Sequence, residues 1–404
     1  MREVVIVAAK RTPIGRGKKG TLAKTRPDDM LAVALKGVIK QVKEQNPDFN
    51  LSEIEDVLIG CAFPEAEQGM NVARVGALLA GIPQEVPAAT INRFCGSAMT
   101  CLHAATHAIM SGVGDIYIVG GTESMTKVPM IGNKFSPNPK FVEGNYPQVY
   151  VPMGETAERV VDRYGDKYDL SREALDRFSY NSHMKAIKAQ DEGKFDDEII
   201  KVIVNKTTGE IEEYQGEVPE GWVLMDRDEC PRRETSMEAL AKLKPVFRVN
   251  GRVTAGNSSP INDGSSAMIL MSREKAEELG LKILGKVTGT AVRALEPEVM
   301  GLGPIYSTRR LLERTGLKVD DIDLFEINEA FATQSIVSIK ELGIDESKVN
   351  VNGGAIAIGH PLGISGTRII TTLLYEMIRQ DKKKGVATMC IGGGQGIATL
   401  IERD

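Results

Sequence analysis

One pattern occurs twice in this 404-residue chain, and it limits the fold more than any other feature. DVLIGCAF, NRFCGSAMTCLHAATHAIMSG and DIYIVGGTES follow one another between residues 56 and 124. DIDLFEINEAF, NGGAIAIGHPLGISGTRIITTLLYEMI and GVATMCIGGGQG do the same between 321 and 396. In each set a strand opening after Asp is followed by a glycine-containing turn, a buried helix and a strand that ends in glycines. Few residues are identical, but the order matches, as expected for two similar halves that share a site between them.

The segments 4–9, 56–61, 115–120, 323–327 and 386–391 are short, β-branched and apolar on both faces. Such strands belong to sheets covered by helices on both sides. Helical patterns are expected over 30–43, 95–111 and 366–380, and the alternation points to an α/β architecture. Residues 122–249 differ, holding Trp222, six of the nine tyrosines and the polar run KTTGEIEEYQGEVPEGWV, which reads as loop or hairpin. We read them as an insertion that closes over a ligand. The strand-like INDGSSAMILMS then returns to the first half, giving residues 1–121 and 250–272 as the first half, 122–249 as the insertion and 273–404 as the second half.

Lys plus Arg is 50 against 55 for Asp plus Glu, a net charge of −5. That balance argues against a binder of nucleic acid or of anionic membrane, both of which need a basic field. No apolar run approaches the ~18 residues that cross a bilayer, and MREVVIVAAKRTPIG reads as a strand rather than a signal peptide. Five cysteines, an odd number, fit a reducing compartment. With no peroxisomal address in the final IERD, the cytoplasm is the expected location. The clustered glycines suggest tight turns and close backbone approach around a buried site.

Four residues stand where chemistry could occur. Cys95 lies where the extended run PAATINRF meets a glycine and an apolar helix; a helix N-terminus there would favour its thiolate and make it a nucleophile. His360, one of four histidines, sits in a loop between glycines and proline and could act as a base. Cys390 ends a strand before glycines whose N–H groups could serve as oxyanion donors. Asn328, at the end of the matching strand, could orient a water or a carbonyl. Two other patterns fail. Cys95, Cys101, His103 and His107 have no standard zinc spacing, and the glycines of 392–396 lead into a strand-like run, not the helix of a dinucleotide fold.

Together these stretches resemble thiolases. VVIVAAKRTPIG, NRFCGSAM, GGTESM, PMGETAE, ETSMEALAKLKPVF, VTAGNSSPINDGSSA, NEAFA, NGGAIAIGHPLGISG and CIGGGQG occur in order over essentially the whole chain. The resemblance implies a five-layered α/β/α/β/α fold of two similar α/β halves with an inserted loop domain. It implies that Cys95 is the acylated nucleophile and His360 the base that activates it, with Cys390 the acid/base at the acetyl α-carbon. By the same resemblance, Asn328 holds a water that with His360 forms one oxyanion site, and the N–H groups of Cys95 and Gly392 form another. Ser259 matches a contact to the pantetheine arm of coenzyme A, and Met153 and Phe331 match positions lining its tunnel.

The implied reaction is thiolytic cleavage of 3-oxoacyl-CoA, with CoA as co-substrate and no permanently bound cofactor or metal. Implied partners are a second copy, as homodimer or homotetramer, and a β-oxidation hydratase/dehydrogenase subunit. Short-chain biosynthetic members carry His where this chain has Pro152; with the MGLGP run at 300–304 this favours the degradative branch. The alternatives are a short-chain acetyl-CoA C-acetyltransferase, a ketoacyl synthase-like condensing enzyme, and a non-catalytic acyl-CoA-binding subunit.

Overall fold

The computed structural model describes residues 2–144 and 146–404. In chain order the first half contributes β1 (Val4–Arg11), β2 (Gly15–Arg16), α1 (Pro27–Lys43), β3 (Asp56–Gly60), α2 (Val72–Leu79), β4 (Ala88–Ile91), α3 (Ser97–Met110) and β5 (Ile116–Ser124). The insertion follows: α4 (Pro139–Val142), α5 (Met153–Tyr164), α6 (Arg172–Asp191), β6 (Val202–Asn205), β7 (Ile211–Glu213), β8 (Trp222–Met225) and α7 (Met237–Ala241). The chain returns through β9 (Asn262–Ser272) and α8 (Arg273–Glu278). The second half holds β10 (Gly285–Ala294), α9 (Gly303–Thr315), β11 (Leu324–Ile327), α10 (Ala332–Leu342), α11 (Ala355–Ile358), α12 (Ser365–Arg379), β12 (Lys384–Ile391) and β13 (Gln395–Glu402).

The strands run β4-β3-β5-β9-β1 in the first half and β10-β13-β12-β11 in the second, joined where β1 meets β10 at Val5–Lys286 and Ile6–Gly285. The halves repeat one topology. β9 lies antiparallel between β1 and β5, and β5 runs parallel to β3. In the second half β13 lies antiparallel between β10 and β12, and β12 runs parallel to β11. Even β4 has a remnant counterpart, a parallel bridge from Phe325 to Val349. The repeat seen in the sequence is therefore a repeat of topology.

Residue alternation explains the layers, because successive side chains of a strand face opposite ways. Val57 and Ile59 of β3, and Ile116 and Ile118 of β5, pack with Leu31, Leu35 and Val38 of α1 and with Ala73 and Ala77 of α2. Leu58, Tyr117 and Val119 on the opposite faces pack with Met99 and Leu102 of α3 and with Ile369, Ile370 and Leu373 of α12. That central layer also receives Met389 and Ile397 from the second sheet, whose outer face holds Leu311 and Leu312 of α9 and Val337 of α10. The order is helices, sheet, α3 with α12, sheet, helices. A helix between two sheets must be apolar nearly all round, as α3 is.

α1 begins at Pro27, a turn earlier than the periodicity suggests, with Asp28 and Asp29 in its first turn and Lys40 and Lys43 in its last. Proline at the first position and charges opposing the helix dipole favour that start. The polar run of the insertion forms the sheet β7-β6-β8, so the expected hairpin is present. Fully buried Arg11 of β1 ties the insertion to the core, its guanidinium donating to Glu198 and Asp228 at 2.6–3.0 Å. Among the described residues no helix is long and apolar enough to cross a membrane.

Candidate active site

Cys95 occupies a turn between β4 and α3, two residues before the helix begins. The turn is strained: Phe94 has φ of +44°, unfavourable for a residue with a side chain. Local hydrogen bonds hold it. Asn92 Oδ1 accepts from Phe94 N at 2.8 Å, and Ser97 Oγ accepts from Arg93 N at 2.9 Å and donates to Phe94 O at 2.6 Å. Gly96 has no side chain because the end of β12 lies against it; a Cβ there would come within 2.9 Å of Ile391 Cγ1. That approach sets Cys390 and Gly392 beside Cys95.

The backbone N–H groups of Gly392 and of Cys95 lie near the Cys95 sulfur and favour its thiolate. They do not offset its burial, which pushes the thiol up to about 12. Burial therefore opposes the thiolate that the helix N-terminus favours, since removal from water outweighs the local dipoles. Burial also raises the Cys390 thiol, and the nearby Cys95 adds to the shift.

His360 lies between α11 and α12, buried, with its backbone N–H donating to Asn262 Oδ1 at 2.9 Å. Its Nδ1 is 2.6 Å from Ser365 Oγ, and that hydroxyl donates its own proton to Pro361 O at 2.7 Å. The proton between ring and hydroxyl must therefore be carried by Nδ1, which leaves Nε2 as the basic nitrogen. Asn328 Nδ2 approaches Nε2 at 3.3 Å. Burial, with a smaller contribution from the Arg368 charge, drives His360 down to about 3. Leu362, two residues on, packs in the same cluster as Cys95 and Met99.

Asn328 is fixed through its backbone: its N–H donates to Thr388 O at 3.0 Å, and its carbonyl accepts from Gln334 Nε2 at 2.9 Å. Its Oδ1 is buried and has no partner among the described residues. Phe331 and Cys390 share an apolar cluster with Val253, Met300 and Ala330, and Met153 packs against it. Met153 opens α5 directly after Pro152. Ser259 N donates to Ala330 O at 3.0 Å, and Ser258 bridges Phe331. Beside them is a narrow cleft whose walls include Arg16, Cys230, Arg232, Ser258, Pro260 and Ile356. All eight expected residues thus belong to one neighbourhood.

The two rejected patterns have ordinary roles. His103 and His107 contact hydroxyls of Thr399 and Thr290 on second-half strands at 2.8 and 3.0 Å, Cys101 lies in the central core, and the glycines of 392–396 turn into β13. Sequence reasoning missed Ser365, Asn262, Glu123 and Glu329. Glu329 accepts from Ser182 Oγ, Asn350 Nδ2 and Ile356 N, tying α6 of the insertion to the segments that lead from Asn328 and into His360. A signal was present in the polar residues set within buried or glycine-rich runs: INDGSS, GISG, GGTES.

Residues 4–274 match the family model described as Thiolase, N-terminal domain, and residues 281–403 match Thiolase, C-terminal domain. The 3-ketoacyl-CoA thiolase of Bacillus subtilis (strain 168) is 49% identical over 402 residues, covering 100% of both chains. That of Aliivibrio fischeri (strain ATCC 700601 / ES114) is 48% identical over 408 residues, again covering 100% of both. The crystal structure of the Bacillus anthracis acetyl-CoA acetyltransferase has a TM-score of 0.85 at 37% identity, over 100% of this chain and 99% of that one.

Proposed function

The chain belongs to the thiolase family, and from that premise we propose that it cleaves 3-oxoacyl-CoA with CoA, giving acetyl-CoA and a shortened acyl-CoA. The observation that carries this reading is the close approach of the β12 end, at Ile391, to Gly96, which brings Gly392 and Cys390 beside Cys95. A nucleophile, an oxyanion site and a second proton donor thereby share one buried space. The 3-ketoacyl-CoA thiolases at 48–49% identity support this substrate class for this chain over the short-chain alternative.

His360 Nε2 takes the Cys95 proton as the sulfur attacks C3 of the substrate, and the N–H groups of Cys95 and Gly392 receive the oxyanion. The C2–C3 bond breaks, leaving an acyl-cysteine and the enolate of acetyl-CoA. Cys390 protonates the enolate carbon and recovers its proton from His360. The enolate oxygen is met by His360 and by a water on Asn328, whose Oδ1 and Nδ2 are positioned to orient it. CoA then gives its thiol proton to His360 and attacks the acyl-cysteine, and the expelled Cys95 thiolate is reprotonated. Met153 and Phe331 line the approach and Ser259 contacts the pantetheine arm, while Arg16 and Arg232 at the cleft offer guanidinium groups to phosphates.

This reading includes a homodimer or homotetramer, for which the half-exposed sheet edge β4 offers a pairing surface. It includes the cytoplasm, in keeping with five free cysteines. It also includes a hydratase/dehydrogenase subunit as supplier, since a 3-oxoacyl thioester arises by oxidation of a 3-hydroxyacyl one.

The test is CoA-dependent loss of 3-oxothioester enolate absorbance with acetoacetyl-CoA and 3-oxohexadecanoyl-CoA. Cleavage of both, or of the long chain preferentially, is expected, and Cys95→Ala should abolish it while leaving the fold. Cleavage of acetoacetyl-CoA alone would reassign the chain to the short-chain acetyltransferases.

A further inference from the structure

Glu123, the penultimate residue of β5, has a fully buried carboxylate facing only donors. Oε2 accepts from Ala62 N at 2.7 Å and from Gly363 N at 2.8 Å. Oε1 accepts from Gln68 Nε2 at 2.6 Å and Phe63 N at 3.4 Å, with the Cys61 thiol at 3.9 Å. Gln68 is fixed in turn by accepting from Ser124 N at 3.0 Å. Three segments meet on this one group: the loop after β3, the end of β5, and the second-half loop that carries His360. Gly363 must lack a side chain, because a Cβ would lie 2.6 Å from Glu123 Oε2 and 2.9 Å from Cys61 Cα. Phe63, held through its N–H, packs against Phe94 of the nucleophile turn at 5.9 Å between centroids.

We propose that Glu123 is a positioning residue whose ionised carboxylate clamps the His360 loop of one half onto the nucleophile turn of the other. Gly363 lies midway between His360 and Ser365, the hydroxyl that sets the imidazole tautomer, so a loosened Gly363 misplaces both. A carboxylate can accept from all of these groups at once; a carboxamide or a carboxylic acid turns one oxygen site into a donor facing donors. Burial pushes the Glu123 carboxyl up to about 7, against the hydrogen bonds that favour its charge. The titratable groups near it are Cys61, whose thiol is raised well above its usual range, and Cys95. The β9 residue opposite is Gly264. Burial holds His360 far below neutrality, so loss of the clamp on the acid side is a titration of Glu123.

The functional part of this inference rests on the roles proposed for Cys95 and His360; the clamp itself does not. Hydrogen–deuterium exchange on peptides spanning Gly363 tests the clamp without turnover. In Glu123→Gln the Gly363 amide should exchange at least ~10-fold faster, with α12 unchanged. In the wild-type chain, an opening that frees Gly363 while Glu123 stays buried removes a hydrogen bond that favours its charge, so protection corrected for intrinsic rate should fall as pH drops through about 7, which decides the matter if the variant does not fold. Protection unchanged in a folded variant, or flat from pH 5.5 to 8.5 in the wild type, would overturn the proposal. With 3-oxoacyl-CoA, Glu123→Gln should lose about 10²-fold in kcat, the scale of a misplaced catalytic group, with KM nearly unchanged. A variant with loosened Gly363 but wild-type kcat would refute the positioning role, whereas an inactive wild type with an intact clamp would refute only the reaction.

Discussion

Burial holds the Cys95 thiol near 12 and the His360 imidazole near 3, so both are neutral at rest rather than a thiolate–imidazolium pair. Reactivity then has to arise when substrate arrives and the proton moves during attack. Alkylation of Cys95 by iodoacetamide should accordingly rise about tenfold per pH unit between pH 6 and 9, because only the thiolate reacts. Peptide mass mapping would follow it, and a plateau from pH 7 upward would mean a preformed ion pair. The proposed reaction gives Cys390 a different task. Cys390→Ser should slow proton exchange at the acetyl α-carbon by about 10²–10⁴-fold, the worth of a positioned acid/base, while acylation of Cys95 from a preformed thioester falls far less. The identities of these residues are legible in the chain because a Cys before a helix, or a His among glycines, is unusual locally. Their protonation is not, because it follows from walls that distant segments build.

At the level of elements, β12 and α3 meet so closely that one atom matters. Gly96→Ala would press on Ile391 and move the strand end that bears Cys390 and Gly392. A shift of ~1 Å there should cost about 10²-fold in kcat, with circular dichroism unchanged. Gly392→Ala is the contrast: its Cβ would meet Phe94 at 3.6 Å and Met153 Sδ at 3.8 Å, ordinary contact, and its N–H is retained. It should keep most of its turnover, and equal losses in the two variants would contradict this account. The elements that sequence patterning finds, such as β3, β5, β11 and β12, are covered on both faces. β10 escapes it: Lys286, Thr288 and Arg293 stand along that strand beside half-exposed positions, and its place is set by pairing with β1 and β13. The starts of α1 and α3 differ from the periodic pattern because Pro27 and the turn that bears Cys95 decide them.

For the whole molecule, buried ionisable groups set how stability follows pH. Glu123 is pushed up to about 7 by burial and Glu326 up to about 8, by burial first and by the neighbouring Glu329 against the attraction of Arg368. Between the ordinary carboxylate range and these values the native chain holds protons that the unfolded chain has released, so stability falls as pH rises. His103, His183 and His360 are lowered to about 3–4, mainly by burial, and act oppositely, but only up to about 7.5, one unit above the unfolded value, where the unfolded histidines have released most of their protons. Urea unfolding should therefore show stability declining above about pH 7.5 and falling further above 8, where the unfolded cysteines release protons that the buried Cys95 and Cys230 thiols keep, by about 1.4 kcal/mol per pH unit for each proton held. Stability that climbs across that window would contradict the buried-carboxylate account. The order of the strands has a consequence during synthesis. β9, which fills the centre of the first sheet, leaves the ribosome only after residues 125–261, which separate it from β5 and hold nearly all of the insertion. At about 5–20 residues per second this is a wait of roughly 7–30 s, during which β1 and β5 show bare apolar edges to the cell. The nascent chain is thus a client for a chaperone until the polypeptide doubles back, and a ribosome stalled within the insertion would release a sticky fragment rather than half an enzyme.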